Sequence, residues 1–202
     1  MNSEIQPLPK EKWQGYKIPM QYETSYFYDA EITTSTDGFS ASFVKKPLDK
    51  HLHKSLSDFP DRLYEEWWDG AEAYGIVSED GLFAAIEIWH EKWSNRLRVT
   101  ELWVDASLQR KGVGTRLMNF AKQRAQELGC RALMLETQSC NENAIAFYLS
   151  QGFTFFGFDR SCYGNNDVEK REVRIELGLY LLQVCESNKT FLHATRSSGN
   201  ET

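Results

Sequence analysis

A chain of 202 residues, 41% of them hydrophobic and with a formal charge of −6, is long enough to bury the core of one domain with room for an added subdomain. The acidic balance argues against a general nucleic-acid binder. Four scattered cysteines (Cys130, Cys140, Cys162, Cys185), with no C-x-x-C pair and no zinc-type histidine spacing, argue against a disulfide framework and a metal site.

"MNSEIQPLPKEKW" has no apolar signal region, and no stretch approaches the roughly 18 apolar residues of a membrane span. The expectation is a soluble cytoplasmic protein. Residues 1–24 carry few signals and read as an N-terminal extension. "SYFYDAEITT" (25–34) reads as a strand, and 51–69 as helix or loop broken by Pro60. "AYGIVSEDGLFAAIEIWHEKW", from Ala73, predicts two strands joined by a tight Glu-Asp-Gly turn, with Gly81 supplying the unusual backbone angle. "RLRVTELWV" (96–104) predicts a third strand.

A helix follows over about 113–128, with Val113, Leu117, Met118, Ala121, Ala125 and Leu128 on one stripe and Gly129 as its stop. "ALMLET" (132–137) is a short apolar strand. A second helix near 141–151 ends at Gly152, and Ser139 and Glu142 have capping-box spacing at its start. "FTFFGF" and "REVRIELGLYLL" are the closing strands, and 185–202 is a polar tail. The single domain thus spans 25–184, in the order β-β-β-α-β-α-β-β from Ala73 onward, an α/β fold with a mixed sheet flanked by helices.

Charge is unevenly distributed. Residues 56–80 hold eight acids against Arg62 alone, a local charge of −7; residues 108–131 hold six bases against Glu127 alone, a local charge of +5. Such runs also suit the solvated faces of any soluble protein. The basic stretch contains "LWVDASLQRKGVGTRLMNFAKQRAQELG" (102–129). A dinucleotide fingerprint would place a third glycine where Leu117 stands, and a nucleotide P-loop would follow Gly114 with Lys-Ser/Thr rather than Thr115-Arg116. What remains is either a tight structural turn or a turn whose backbone N–H groups approach an anion at the positive end of a helix.

"QRKGVGTRL" after a strand ending "LWV", followed by "NENAIAFYLSQGF" about thirty residues later, resembles the GCN5-related N-acetyltransferase (GNAT) family. "LMLETQ" (133–138), "AIAFYLSQGF" (144–153) and "FDRSCY" (158–163) are similar to its streptothricin acetyltransferase branch. The resemblance covers about 73–182. It implies acetyl-CoA as cosubstrate and no metal. The pyrophosphate would lie on the backbone of Gln109, Arg110, Lys111, Gly112, Val113, Gly114 and Thr115. The pantetheine arm would run along Leu102, Trp103 and Val104, with Asn141 at the cofactor.

Amine acetylation needs a neutral amine and a proton for the departing thiolate. Strict alternation along 97–103 places Leu97, Val99, Glu101 and Trp103 on one face, which makes Glu101 a carboxylate among apolar neighbours and a candidate general base; an edge-exposed or ion-paired glutamate is the alternative. Tyr148 matches the family's A-x-x-F-Y tyrosine, the expected general acid, and would otherwise be an aromatic of the buried stripe. Glu136, Asp159 and Tyr163 are candidate acceptor-binding residues, with a structural ion pair as the other reading of Glu136. Trp67, Trp68, Trp89, Trp93 and Trp103 are expected mostly in the core.

The expected function is N-acetylation of a cationic small molecule, streptothricin-like, with no nucleic-acid or membrane partner and a homodimer as an open option. A protein amine or polyamine acceptor, and a non-catalytic CoA-binding module, are the alternatives.

Overall fold

The computed structural model describes residues 4–55 and 60–181. From residue 72 onward the strands and helices follow the predicted order: β4 (Glu72–Ser78), β5 (Gly81–Glu91), β6 (Arg96–Val104), α2 (Val113–Glu127), β7 (Ala132–Gln138), α3 (Glu142–Ser150), β8 (Thr154–Asp159) and β9 (Arg174–Tyr180). Before them come β1 (Gln6–Pro7), α1 (Lys10–Trp13) and a long hairpin, β2 (Gln21–Ser35) and β3 (Gly38–Ser55). Gly81 closes the β4–β5 turn at φ +129°, a backbone conformation that glycine adopts without steric cost.

Seven strands make one sheet in the order β1-β4-β5-β6-β7-β9-β8; β2 and β3 form a separate two-stranded sheet. Only β6 and β7 run parallel, and they pair over three residues, Arg96–Arg98 with Ala132–Met134. Beyond that point each keeps its outer partner, β5 or β9, while the two diverge. This opens a notch at the C-terminal ends of both strands.

The main core lies between the sheet and one layer formed by α2 and α3. Leu117, Met118, Ala121 and Ala125 of α2 and Ile145 and Tyr148 of α3 bury against Ile86, Ile88, Leu97, Val99, Leu133 and Leu177. The predicted stripe of α2 is thus the buried face; amphipathic periodicity is what holds the helix there. Arg124 fastens α2 to β4 through Glu72 at 2.9 and 3.0 Å and holds that carboxyl below its ordinary range.

A second cluster covers part of the opposite face: Leu8, Trp13, Ile18, Leu63 and Tyr64 pack on Leu82, Ala85 and Trp103. Residues 6–18, expected as an extension, therefore join the sheet edge through β1 and close this layer. Segment 15–18 also pairs with 61–63: Ile18 N donates to Asp61 O at 2.9 Å and Gly15 N to Leu63 O at 2.9 Å. Residues 51–55, expected as helix or loop, are the end of β3, because Leu52, His53, Lys54 and Ser55 pair with Thr24, Glu23, Tyr22 and Gln21. The expected tail 185–202 lies outside the described residues. No helix among the described residues is long and apolar enough to cross a membrane.

Candidate active site

The strand that leads into the notch is not regular. In the β5–β6 pairing Glu87 faces Glu101 and Ile88 faces Val99, so Thr100 is an extra residue in β6. A bulge of one residue reverses the side-chain alternation beyond it. Leu97 and Val99 point to the α2 side, whereas Leu102 and Val104 take over that side after the bulge and Trp103 enters the second cluster. This corrects the expectation of strict alternation: Glu101 and Trp103 lie on the face opposite Leu97 and Val99, together with Arg98. The Thr100 hydroxyl secures the bulge by donating to Glu87 Oε1 at 2.8 Å.

Glu101 consequently faces other carboxylates. Burial pushes its pKa well above the ordinary range, and the negative charges of Asp61, Glu87, Glu136 and Glu65 push in the same direction. Asp61 is raised too, by burial first and then by Glu136 and Glu65. Glu87 is buried and raised by desolvation, although Tyr64 N donates to it at 2.5 Å. Of the acidic run 56–80, Asp61 and Glu65 reach this cluster, Glu72 is spent on Arg124, and Glu79 and Asp80 lie at the distant β4–β5 turn.

Tyr148 approaches from the helix layer. Its ring is buried between Phe147 and Phe153. Desolvation raises its pKa, and the charge of Glu101 raises it further. The phenol and the carboxylate sit on opposite faces of the sheet, and they act on each other where the sheet is open. Asn141 caps α3, its Oδ1 accepting from Ala144 N at 3.2 Å. The expected capping box does not form, because Ser139 Oγ donates instead to Arg171 O at 2.8 Å and Glu142 pairs with Lys45 at 2.5 Å.

The turn from Gln109 to Thr115 follows β6 directly, after a short 3-10 turn at Ala106–Leu108. Gly112 is the N-cap of α2 at φ +79°, ψ +2°, and Arg110 is also left-handed at φ +57°. Among the described residues, none of the backbone N–H groups from Arg110 to Thr115 has a protein acceptor; the first helical donor bonded is Arg116, to Gly112 O at 3.1 Å. Orphan donors, left-handed residues and a helix N-terminus together make an anion cradle. Gln109 Nε2 donates to Val104 O at 3.0 Å, tying the cradle to the strand. The basic stretch divides: Arg110 and Lys111 are exposed at the cradle, whereas Lys122 donates to Gln151 O at 2.8 Å, Arg131 to Ser94 O at 2.8 Å, and Arg124 is held by Glu72.

The remaining candidates separate. Glu136 lies near Glu101, ion-paired with Arg174 at 2.6 Å and Arg98 at 3.7 Å, and Tyr163 Oη reaches it at 3.4 Å. Asp159 is the exposed last residue of β8, opposite Arg174, and accepts from Ser161 N at 2.9 Å. The tryptophans depart from expectation: Trp103 is buried, but Trp67, Trp68, Trp89 and Trp93 line an open pocket beside Glu136. The sequence reading missed Arg98, Arg174 and Glu87. Once the bulge is known, their positions on β6, β9 and β5 place them on this face.

A splayed parallel pair, orphan N–H donors at the adjoining helix N-terminus and a buried phenol and carboxylate at the notch are an arrangement that can hold a phosphorylated ligand and exchange protons beside it. Residues 41–153 match the Acetyltransferase (GNAT) family. A streptothricin acetyltransferase of Streptomyces lavendulae is 31% identical over 172 residues, covering 81% of this chain and 85% of that protein. A nourseothricin acetyltransferase structure superposes with a TM-score of 0.68 at 24% identity, covering 89% of this chain and 99% of the other. A Bacillus anthracis protein solved with acetyl coenzyme A gives 0.68 at 22% identity, over 90% and 99%. The chain belongs to the GNAT family and is an acetyl-CoA-dependent N-acetyltransferase.

The cradle can be tested directly. Gly112→Val forces a β-branched residue into a left-handed backbone, at a cost of about 1–2 kcal/mol. It is expected to raise KM for acetyl-CoA at least tenfold while lowering Tm by only a few degrees. A wild-type KM would show that the turn does not depend on this conformation.

Proposed function

We propose that the protein transfers the acetyl group of acetyl-CoA to a primary amine of a cationic small molecule of the streptothricin type. The observation that carries this reading is the acidic environment of Glu101 at the mouth of the notch, where Glu87 faces it across the strand pair and Asp61 and Glu65 add negative charge. An ammonium group entering there relieves the mutual repulsion of the carboxylates, so the site favours a cation over a neutral ligand. The similarity to streptothricin acetyltransferases supports the same acceptor class.

Acetyl-CoA supplies the thioester carbonyl that the amine attacks. The N–H groups of 110–115 hold its pyrophosphate, and the open edges of Leu102–Val104 align the arm that carries the thioester. An alkylammonium of pKa about 10.4 must lose a proton, which at pH 7 costs about 4.6 kcal/mol. Glu101, with its raised pKa, accepts that proton directly or through water. Tyr148 remains protonated throughout the working range and donates to sulfur as the C–S bond breaks and the amide C–N bond forms. Glu136 and Tyr163 orient the acceptor. Asn141 ties the start of α3, and so Tyr148, to the cofactor side.

The test is to incubate the protein with acetyl-CoA and, separately, streptothricin, a polyamine, an aminoglycoside and a lysine peptide, and to follow product mass. Thiol release is a poorer readout, since native cysteines also react with thiol dyes. Acetylation of streptothricin well above the other acceptors is the expected result. Preference for the peptide would move the assignment to a protein amine.

A further inference from the structure

The pocket beside Glu136 has a volume of about 460 Å³, within the range of small-molecule sites. Four indoles form its walls. Trp67 and Trp93 stand 68% and 82% exposed, an unusual state for the largest side chain. Three of the four are held: Trp68 and Trp89 pack at 5.2 Å, Trp89 Nε1 donates to Asp69 O at 2.8 Å, and Trp93 covers the Arg96 guanidinium at 5.7 Å.

Arg98 forms part of the lining at 8% exposure. Its Nη1 is buried and has no hydrogen-bond partner; the nearest carboxylate contact, Glu136 Oε2, is at 3.7 Å, beyond hydrogen-bond range. A buried guanidinium donor without a partner calls for an oxygen acceptor. The charges specify the ligand further. Aromatic boxes commonly take cations, but here Arg96, Arg98 and Arg174 stand against two lining carboxylates. Both are already matched, Glu91 by Arg96 at 2.5 Å and Glu136 by Arg174 at 2.6 Å. Behind them Glu176 meets Arg98 at 3.7 Å and Arg174 at 2.6 Å, so three guanidinium groups stand against three carboxylates and no charge is left over for a cation or an anion; the ligand group is neutral, flat enough to stack on indole, and carries hydroxyl or carbonyl oxygen.

Arg98 and Glu101 face Trp89 and Glu87, two residues apart on β5, so with the bulge between them they share a face about 7 Å apart along the strand. We infer that the four-tryptophan pocket is a second acceptor subsite, binding a neutral sugar-like ring of the acceptor molecule about 7 Å from the amine that is acetylated. This inference rests on the proposed small-molecule acceptor. It adds that specificity for a long acceptor over a short amine is set at the pocket and not at Glu101.

The test uses the full chain and two exposed-site variants that leave the cores intact, Trp67→Ala and Trp93→Ala. Steady-state kinetics compare streptothricin with putrescine, a diamine too short to reach the pocket. In parallel, the indole N–H signals are followed by NMR during titration with N-acetylglucosamine at high millimolar concentration. Each variant is expected to raise KM for streptothricin at least tenfold and to leave kcat/KM for putrescine unchanged. The sugar is expected to shift the pocket indoles but not those of Trp13 and Trp103. Wild-type KM for streptothricin in both variants, or pocket indoles unmoved by the sugar, overturns the inference. If the wild-type protein acetylates no streptothricin, the proposed acceptor falls, and the indole titration alone decides the pocket.

Discussion

Glu101→Gln is expected to lower kcat by about 10²–10⁴-fold, the usual contribution of general acid–base catalysis, and at the same time to raise Tm at neutral pH. The two effects share a cause. In the folded protein the Glu101 pKa is raised by burial and by four neighbouring carboxylates, relative to an ordinary value of 4.5. Between that value and the raised one, the folded state binds more protons than the unfolded state, so stability contributed at this site falls as pH rises and stays low above the raised pKa. Glutamine removes the ionisation. Its advantage should be absent at acid pH, grow through this window and be complete above it. Thermal melts of both proteins across pH read the stability arm, and kcat/KM profiles read the catalytic arm. Wild-type activity should show an acidic limb above the ordinary carboxylate range that is lost in the variant. A variant less stable than wild type at pH 8 would contradict the assigned environment, and unchanged kcat would remove Glu101 from the proton path.

Tyr148→Phe is expected to reduce kcat tenfold or more, with acetyl-CoA affinity altered less than twofold. The phenol ring belongs to the main core, and phenylalanine preserves that packing, so Tm should change little. The hydroxyl is the only group removed, and in the proposed path it acts only as the thiolate leaves. Calorimetric titration with acetyl-CoA and single-turnover product mass separate binding from chemistry. Retention of full turnover would make Tyr148 a core aromatic and nothing more. A Glu101→Gln/Tyr148→Phe double variant that loses less than the sum of the single effects would show that the two groups act as a unit.

Residues 72–181 were legible in the sequence because their elements are bounded by strong local signals: the Glu-Asp-Gly turn, the α2 stripe and the glycines at 129 and 152. The β2–β3 hairpin was half seen. Its second strand is mostly exposed, so no alternation marks it. What seats the hairpin is distant and specific: Tyr28 N donates to Ser139 O at 2.9 Å, and Phe43 packs on Phe155 and Phe158 at 5.0 and 5.1 Å. Likewise the burial of Leu8, Trp13 and Ile18 depends on a partner, the 61–64 segment, almost fifty residues away. The anion cradle was readable from its glycines and Tyr148 from its motif. Glu101 was expected to be a carboxylate with a raised pKa, as it is, but was placed on the wrong face, since periodicity carries no warning of an inserted residue. Arg98 and the indole pocket assemble from the segment before β4, from β5 and the turn after it, and from β6, β7 and β9, and no local window contains them.

The extra residue at Thr100 gives β6 two reading frames. Up to Val99 odd-numbered side chains serve the hydrophobic layer; from Glu101 onward even-numbered ones do. Changes at Arg98, Glu101 and Trp103 therefore act on the face where the acceptor is proposed to bind, without passing through the packing of α2. Deletion of Thr100 would remove the bulge and leave a regular strand in which Val99 and Leu102 still face the helices and Glu101 the opposite side, at the cost of the hydroxyl that donates to Glu87. Loss of a paired neighbour such as Val99 or Glu101 would instead shift every later side chain to the other face, so a change of length is tolerated at the bulge and not beside it.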